Sequence, residues 1–302
     1  MKYKATEQIL KIIKNKENIR NFGVIAHVDH GKTTMSDNLL GYAGIISPQA
    51  AGRALALDSM KLEQDRQMTI VQANVTLLFE KGDKEYVVNM IDTPGHIDFT
   101  GRVTRSLRAI DGAVVVSDSV EGIMTQTETV TRQALEERVR PVLYINKIDR
   151  LIKELRLTPD KMQEWLANIV STFNGLIDTY AEPEYKEKWK VSIQDGSVSF
   201  GSAKDRWGFN IDVMKEKGIS FKDIYAAYQD GANVDDLAKK APLAEAVLGM
   251  VVKHHPPPHV AQKYRIPKIW KGDLESDIGK AILNCDDNGP AVMMIVNMAM
   301  DP

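Results

Sequence analysis

The stretch AHVDHGKTT at residues 26–34 contains the residue types that three kinds of chemistry use. At a strand-to-helix turn, Gly31, Lys32 and Thr33 would present backbone N–H groups and a cation to phosphate oxygens, with a hydroxyl for Mg²⁺. The two histidines and the aspartate could instead bind a metal or act as an acid–base pair. Ala26 replaces the glycine that opens the full phosphate-loop pattern. Taken alone, this stretch, here called the phosphate cradle, leaves all three interpretations open.

Three later loops decide between them, because each follows a predicted strand. Asp92 of the DTPG loop could hold Mg²⁺, and the Gly95 N–H could donate to a γ-phosphate. Asp149, at the end of NKID, would accept hydrogen bonds from N1–H and the 2-amino group of guanine, whereas adenine would leave the carboxylate unpaired. The GSAK loop at 201–204 could offer a backbone N–H to guanine O6. Chance would produce all four loops in under about 1% of cases, so the sequence predicts a guanine nucleotide site.

The predicted nucleotide contacts come from all four loops. They comprise Ala26, His27, Val28, Asp29, His30, Gly31, Lys32, Thr33 and Thr34 of the cradle, Asp92, Thr93, Pro94, Gly95 and His96, then Asn146, Lys147 and Asp149, and finally Ser202, Ala203 and Lys204. Lys32 is also predicted to be catalytic, because an ammonium group stabilises charge on a transferring phosphoryl group. No metal or catalytic role is needed for His27, which we expect to pack or hydrogen-bond, or for His30, which we expect to contribute mainly its backbone N–H.

Short apolar runs separated by helix-like segments must position these loops. The runs are NFGVIAHV, EYVVNMIDTPG, GAVVVSDSV, RPVLYINKID and VSFGSAK. Strands that alternate with helices predict an α/β fold, in which a mostly parallel sheet is covered by helices on both faces. Ligands of such sheets bind outside the carboxyl ends of the strands. The sequence therefore predicts an α/β nucleotide-binding domain with its site at that edge.

Other segments depart from this alternation. Asp195-Gly196 predicts a β-hairpin, and Thr158 with Pro159 predicts the start of a helix. An apolar helix ends at the prolines 256–258, after which we expect an extended linker. The strand-like run GPAVMMIVNMAMDP predicts the start of a β-barrel domain that is cut off. The predicted divisions are an N-terminal helix (1–20), a GTP-binding domain (21–208), an inserted helical subdomain (209–240), the last helix of the GTP-binding domain (241–258), and a linker with the truncated start of a second domain (259–302).

Composition excludes several other classes of protein. The 302 residues carry a net charge of −2, so no global basic field indicates nucleic acid. Cys285 is the only cysteine, which excludes a disulfide framework. The lysine-rich N-terminus is unlike a secretory signal, and it predicts an amphipathic helix that buries Ile9, Leu10, Ile12 and Ile13. No apolar run reaches membrane-spanning length. We therefore expect a cytoplasmic, soluble protein without a membrane partner.

Four segments carry a family resemblance. AHVDHGKTT, DTPGHIDF, VEGIMTQTETVTRQAL and RPVLYINKIDRLIKEL are similar to segments of the translational GTPases. Within that family, nearly the whole chain most closely resembles the N-terminal part of elongation factor 2 of archaeal type. The family has glycine or alanine at the first cradle position, so Ala26 is compatible with nucleotide binding. The resemblance implies a five-domain ribosomal translocase, of which this chain would be the GTPase domain and the start of the second domain.

The resemblance also assigns roles to residues outside the cradle core. It identifies 62–70 as the first switch region, where Thr69 would ligate Mg²⁺ in the GTP state. Many relatives have Gly-Ile before this threonine, whereas this chain has Gln67-Met68. The longer, more flexible Met68 would flank, with Val28, the path to the attacking water.

Two further roles follow from the resemblance. His96 would be catalytic, because the family uses this histidine to position the attacking water once the ribosome orders it. On residue type alone, a loop histidine is more often a surface residue. Asp29 resembles a cradle aspartate that helps hold a monovalent cation near the β–γ bridge; otherwise it is a turn residue. The implied ligands are GTP or GDP and Mg²⁺, and the implied partner of the full-length factor is the ribosome, through its RNA and stalk proteins. The fragment itself is expected to be monomeric.

Two other clusters have a simpler and a sharper interpretation. Arg102, Arg105 and Arg108 broadly share one helix face, which suits solvent or domain packing better than ribosomal RNA. KHHPPPH contains three histidines, but its prolines favour a helix end and a stiff segment over a metal site.

Three functions remain in competition. The leading one is a GTP-hydrolysing switch that drives tRNA–mRNA movement on the ribosome. The second is a ribosome- or partner-binding GTPase fragment with little catalysis by itself, and the third is a related ribosome-protection or recycling GTPase.

Overall fold

The computed structural model describes residues 2–47, 73–93, 100–229 and 234–296, and within these ranges the strands form one sheet. The strands are β1 (Ile19–Ala26), β2 (Ala73–Lys81), β3 (Lys84–Asp92), β4 (Gly112–Asp118), β5 (Arg140–Asn146), β6 (Val198–Ser202) and β7 (Trp207–Phe209). Their order is β2-β3-β1-β4-β5-β6-β7. The five inner strands are parallel, and β2 and β7 pair antiparallel at the two edges. The predicted mostly parallel sheet is confirmed.

Helices connect the strands and continue after the sheet. They are α1 (Lys2–Ile12), α2 (Lys32–Tyr42), α3 (Thr100–Arg108), α4 (Thr125–Glu136), α5 (Ile148–Lys153), α6 (Pro159–Tyr180), α7 (Lys186–Trp189), α8 (Ile211–Lys217), α9 (Phe221–Gln229), α10 (Val234–Lys240), α11 (Leu243–His254), α12 (Pro258–Ile269) and α13 (Asp277–Asn284). The helical subdomain predicted for 209–240 corresponds to α8, α9 and α10. Thr158 lies at the N-cap of α6 and Pro159 at its first turn, as predicted.

Both faces of the sheet are buried, because successive strand side chains point to opposite sides. Phe22 and Val24 of β1 belong to a core that also contains Leu39 of α2 and Val247 of α11. Ile25, which follows Val24 and points to the other side of the sheet, belongs to the opposite core with residues of α3, α4 and α6. This double burial explains the nearly continuous apolar strands. Because these five inner strands are parallel, the carboxyl ends of β1, β3, β4, β5 and β6 lie along one edge of the sheet.

The hairpin predicted at Asp195-Gly196 is wrong. Gly196 does lie in a turn with φ 81°, but the residues before it form no strand. Local side chains bond the backbone there instead: the Ser197 N–H donates to Asp195 Oδ1 at 2.7 Å, and the Ser192 N–H to Ser197 Oγ at 2.7 Å. Such bonds compete with strand pairing. The hairpin of this region joins β6 to β7, so the GSAK loop lies between two strands rather than after the last one.

The burial predicted for the N-terminal helix is only partly correct. Ile12 is buried, whereas Leu10 is 59% and Ile13 46% exposed. At 100° per residue, Leu10 points away from the arc that Ile9 and Ile12 share. Ile13 follows the last residue of α1, and a short 3₁₀ turn at Lys16–Asn18 then leads into β1.

The segment after the prolines is helical and not the extended linker that we predicted. Pro258 begins α12, where the missing N–H of a proline has no intrahelical acceptor to lose. Helix α13 follows, and the side chain of Ser276 caps it by accepting from the Gly279 N–H at 3.0 Å. The strand-like run forms no strand over 290–296, and its remaining residues lie outside the described ranges. An isolated apolar strand has no partner to satisfy its backbone.

Candidate functional site

The phosphate cradle lies between β1 and α2, as predicted. Gly31 is the N-cap of α2, with φ 91° in the left-handed region, and Asp29 also has a positive φ of 63°. The first N–H groups of a helix have no intrahelical acceptor and carry a partial positive charge. The turn therefore directs backbone donors and the first residue of α2, Lys32, toward an anion at the carboxyl edge of the sheet.

Lys32 and Asp92 meet in the centre of this edge. The Lys32 Nζ lies 2.9 Å from Asp92 Oδ2, and both side chains are buried. The Ser36 hydroxyl reaches Asp92 Oδ1 at 3.4 Å, and the Thr93 hydroxyl donates to the Val24 carbonyl at 2.7 Å. The end of β3 is thus attached to both the cradle helix and β1. The cationic lysine and the carboxylate that were predicted to act on phosphate and Mg²⁺ are neighbours.

The Asn146 side chain joins three of the predicted loops. Its amide Nδ2 donates to the His30 carbonyl at 2.8 Å, and its Oδ1 accepts from the Ala203 N–H at 2.9 Å. A Cβ on Gly31 would lie 2.2 Å from Asn146 Nδ2, closer than atoms can approach. Only glycine at position 31 leaves room for this amide. The cradle, the NKID loop and the GSAK loop therefore form one connected unit.

Asn38 of α2 adds a second connection between the cradle and the GSAK loop. Its Nδ2 donates to the Ala203 carbonyl at 2.9 Å and to the Thr34 carbonyl at 2.7 Å. Ala203 is therefore held through both its N–H and its carbonyl group. This contact was not predicted, because Asn38 lies inside a helix where asparagine has no diagnostic pattern.

Asp149 is a buried carboxylate at the start of α5. The hydroxyl of Ser202 interacts electrostatically with this carboxylate, so the NKID and GSAK loops lie next to each other. Burial raises the pKa of Asp149 above that of an ordinary aspartate, although the interaction with Ser202 opposes the shift. A partly desolvated carboxylate gains from donors such as the two adjacent N–H groups of guanine.

The loop after β4 contributes residues that the sequence did not single out. Asp118 Oδ2 lies 2.9 Å from Lys147 Nζ and 2.8 Å from Arg150 Nη1. Burial alone would raise the pKa of Asp118, but the hydrogen bonds and charges around it lower it below the ordinary value. Lys147 has φ 61°, and its carbonyl accepts from the Ser119 hydroxyl at 2.8 Å. The polar residues at the end of GAVVVSDSV could have indicated that this loop holds the NKID loop in place.

The side chain of His30 is held inside the protein, so His30 contributes more than the backbone N–H that we predicted. The Asp118 N–H donates to its Nδ1 at 3.2 Å, so Nε2 carries the proton that faces Glu121 Oε2 at 3.2 Å. Burial, followed by the charge of His27, lowers the pKa of His30, which favours this neutral form. The His27 ring lies edge-on to His30, with centroids 4.9 Å apart.

The remaining predicted site residues fall into two groups: four lie in the described loops, and the others lie outside the described ranges. Val28 and Thr33 are half-buried, and Asp29 and Lys204 are exposed. The predictions for Pro94, Gly95, His96, Thr69 and the Gln67-Met68 pair fall on residues outside the described part of the chain.

The histidines of KHHPPPH and the described arginine side chains of α3 contact different parts of the protein. His254 Nε2 lies 3.1 Å from the Asp195 carbonyl, His255 packs against Gly112, and His259 Nε2 lies 2.9 Å from Glu17 Oε1. On α3, Arg105 is exposed, and Arg108 pairs with Glu137 at 3.2 Å. The side chain of Arg102 is outside the described atoms.

A parallel sheet whose carboxyl edge combines this cradle with an aspartate, an NKID loop and a GSAK loop defines the class of P-loop GTPase domains. Residues 17–257 match the family described as the elongation factor Tu GTP binding domain. The chain belongs to this family of translation-factor GTP-binding domains.

Full-length alignments of the chain with curated proteins agree with this family. Over its whole length it is 74% identical to elongation factor 2 of Cenarchaeum symbiosum. It is 57% identical to elongation factor 2 of Sulfurisphaera tokodaii and to that of Saccharolobus solfataricus. The chain spans 41% of the length of each of these relatives. In the part of the chain that the structure describes, no helix is long and apolar enough to cross a membrane.

Proposed function

We propose that the chain is the GTP-binding and GTP-hydrolysing domain of a ribosomal translocase of the elongation factor 2 type. In the full-length factor, its GTP hydrolysis would be stimulated by the ribosome and coupled to tRNA–mRNA movement. The observation that carries the proposal is the Asn146 amide, which joins the cradle to the NKID and GSAK loops within 2.9 Å. The proposed phosphate-binding turn and the proposed guanine-selective carboxylate of Asp149 thereby share one edge of the sheet.

The side chains at this edge fit the proposed ligands. Lys32 would bind the β- and γ-phosphates, and Asp149 with the Ala203 loop would bind guanine. The Asp92 carboxylate and the Thr33 hydroxyl are oxygen donors, which a hard cation such as Mg²⁺ prefers. When bound, Mg²⁺ would neutralise phosphate charge. Thr69 is proposed as its ligand in the GTP state, and Asp29 as a neighbour of a monovalent cation.

The proposed partner of the full-length factor is the ribosome, through its RNA and stalk proteins, in the cytoplasm. The chain itself is proposed to be monomeric. The relatives in the comparison are named elongation factors, which supports the ribosome as the proposed partner. The division of the chain at residues 20, 208, 240 and 258 stays a proposal, with two changes: the boundaries at 20 and 208 fall inside β1 and β7, and residues 258–269 form α12 and not a linker.

Nucleotide titration tests the binding part of the proposal. We expect fluorescently labelled GDP to bind at least about a hundredfold more tightly than labelled ADP, because adenine would leave the buried carboxylate of Asp149 unpaired. Equal affinity for the two nucleotides would refute guanine selection.

Ribosome-dependent hydrolysis tests the catalytic part. GTP turnover is measured with and without archaeal ribosomes for the unmodified chain and for His96→Ala, each alone and within the full-length factor. We expect His96→Ala to abolish stimulation while leaving GTP affinity nearly unchanged. Nucleotide binding and ribosome binding without stimulation in the chain alone would favour the second candidate, a binding module with slow hydrolysis. Equal stimulation of both full-length forms would remove His96 from the mechanism.

A further inference from the structure

We propose that Tyr228, on the inserted helix α9, is a positioning residue for guanine recognition and acts on Asp149 through Asp205 and Ser202. The inference rests on the proposed guanine nucleotide site and deepens it. It gives the inserted subdomain a role in base selection, although none of its residues belongs to the four predicted loops.

The Tyr228 hydroxyl is held by two directional contacts. It donates to Asp205 Oδ2 at 2.5 Å and accepts from the Trp207 indole N–H at 2.7 Å. Trp207 is fully buried in β7, so its N–H has a fixed direction. Burial, with a contribution from the Asp205 hydrogen bond, raises the pKa of Tyr228. The hydroxyl therefore stays protonated at neutral pH and remains a donor to Asp205.

Asp205 transmits this constraint to the base-recognition loops. It lies in the turn between β6 and β7, directly after the GSAK loop, and its backbone N–H donates to Ser202 Oγ at 3.2 Å. The Ser202 hydroxyl in turn interacts with the Asp149 carboxylate and stabilises its charged form. Two hydrogen bonds and this electrostatic interaction thus connect the inserted helix to the proposed guanine-binding group.

Lys153 supports the same arrangement from the helix that carries Asp149. Its Nζ lies 4.7 Å from the centre of the Tyr228 ring and 3.9 Å from Asp205 Oδ2. Both contacts draw α5 toward α9 and the β6–β7 turn. The insertion therefore contacts both protein segments that are proposed to hold the base.

The functional consequence is preorganisation of the carboxylate. Asp149 must accept from N1–H and the 2-amino group of guanine at once, which requires one fixed orientation of its two oxygens. A carboxylate already held by Ser202 loses less freedom on binding than a mobile one. Removing the distant hydroxyl of Tyr228 should therefore weaken base selection while leaving the phosphate contacts intact.

Tyr228→Phe tests the proposal, with GDP and inosine diphosphate as the two probes. Inosine lacks the 2-amino group and makes one contact with Asp149 where guanine makes two. We expect the variant to weaken GDP binding about five- to tenfold and inosine diphosphate binding about twofold or less, as for the indirect loss of a charge-assisted hydrogen bond. The ratio of the two affinities should consequently fall.

Tyr180→Phe is the matched control, because the Tyr180 hydroxyl also donates to a carboxylate, that of Glu128 at 2.7 Å, but on α6 away from the base loops. It should leave the affinity ratio unchanged. Asp205→Ala should lower the ratio as Tyr228→Phe does, and the double variant should be no worse than the stronger single variant, because both act through one chain of contacts.

The possible outcomes separate the two hypotheses. An unchanged affinity ratio in Tyr228→Phe, or an equal loss for both nucleotides, overturns the role of Tyr228. Additive losses in the double variant overturn transmission through Asp205. If the unmodified protein shows no preference for guanine over adenine, the proposed function fails and this inference fails with it. Thermal melting of each variant checks that it is folded.

Discussion

At the scale of single residues, the Asn146 amide shows how a predicted nucleotide contact can act through the protein. Both of its polar atoms already have partners, the His30 carbonyl and the Ala203 N–H. We therefore expect it to influence a bound nucleotide by holding the cradle and the GSAK loop at a fixed separation. Its direct contact with the nucleotide stays a prediction.

We predict that Gly31→Ala abolishes nucleotide binding and destabilises the fold. Position 31 has φ 91°, and the new methyl group would lie 2.2 Å from Asn146 Nδ2. The strained backbone alone costs about 1–2 kcal/mol, and the Asn146 amide must also move. Nucleotide titration and urea unfolding measure the two effects.

Gly44→Ala is the control, since Gly44 shares a positive φ of 71° but has no atom within 4 Å of the added methyl group. It should lose about 1–2 kcal/mol of stability and keep its nucleotide affinity. Similar affinities for the two variants would show that the contact with Asn146 does not matter.

At the scale of elements, helix α12 is attached to the sheet by one buried ion pair. Arg265 Nη1 lies 3.1 Å from Asp111 Oδ1, and its Nη2 donates to the Leu107 carbonyl at 2.8 Å in the last turn of α3. Asp111 Oδ2 also accepts from Asn21 Nδ2 at 2.8 Å. A guanidinium at the C-terminal end of a helix satisfies its last carbonyl groups and the helix dipole. These contacts fold the segment that we expected to be extended.

We predict that Asp111→Ala lowers the free energy of unfolding by about 3–5 kcal/mol, because it leaves the Arg265 charge buried without its partner. Chemical denaturation measures this loss. Glu182→Ala is the control: Glu182 pairs with Arg138 and Lys268 but is about one-third exposed. Its loss should cost less than about 1 kcal/mol for each pair. Equal losses in the two variants would contradict the distinction between buried and exposed pairs.

The sequence predicted those elements whose pattern is local. Apolar runs ending in polar loops identified β1, β3, β4, β5 and β6, and the loop residues of the site followed from strand ends. Helix α12 was missed because its stability depends on Arg265 meeting Asp111, 154 positions away. The Tyr228–Asp205 contact and the Asn38 bridge were missed for the same reason. Such contacts between distant residues have no periodic signature in one sequence.

At the scale of the whole molecule, buried polar groups lie at both the carboxyl ends and the amino ends of the parallel strands. The carboxyl edge carries the proposed nucleotide site. Near the amino edge lie Arg20, Asp111, Arg265 and His255, all buried. Arg20 donates to the Val252 carbonyl at 3.1 Å, and His255 packs against Gly112 at the start of β4. Global stability should therefore respond to the protonation of groups remote from the site.

We predict that the protein loses stability as the pH falls below about 6.5, the ordinary histidine pKa. Burial, with the nearby charges of Arg140, His254 and Arg20, lowers the pKa of His255 well below that value. Below about pH 6.5, His255 therefore binds a proton in the unfolded chain but stays neutral in the folded protein. The stabilisation is complete above the unfolded pKa and declines toward the lowered pKa, at up to about 1.4 kcal/mol per pH unit.

Urea unfolding between pH 8 and pH 5 measures this dependence. His255→Gln, which cannot titrate, should give a flatter profile, even if the variant is less stable at every pH. An unchanged slope in His255→Gln would assign the pH dependence to other groups.

The contacts of Arg265 also have a mechanical consequence. Helix α3 begins directly after residues 94–99, which contain the predicted γ-phosphate sensor, and Arg265 holds its last turn through the Leu107 carbonyl. When one end of a helix is held, a small displacement of its other end tilts the helix about the held end. We therefore expect a shift at the predicted phosphate site to tilt α3 about its last turn, where Arg265 of α12 holds it.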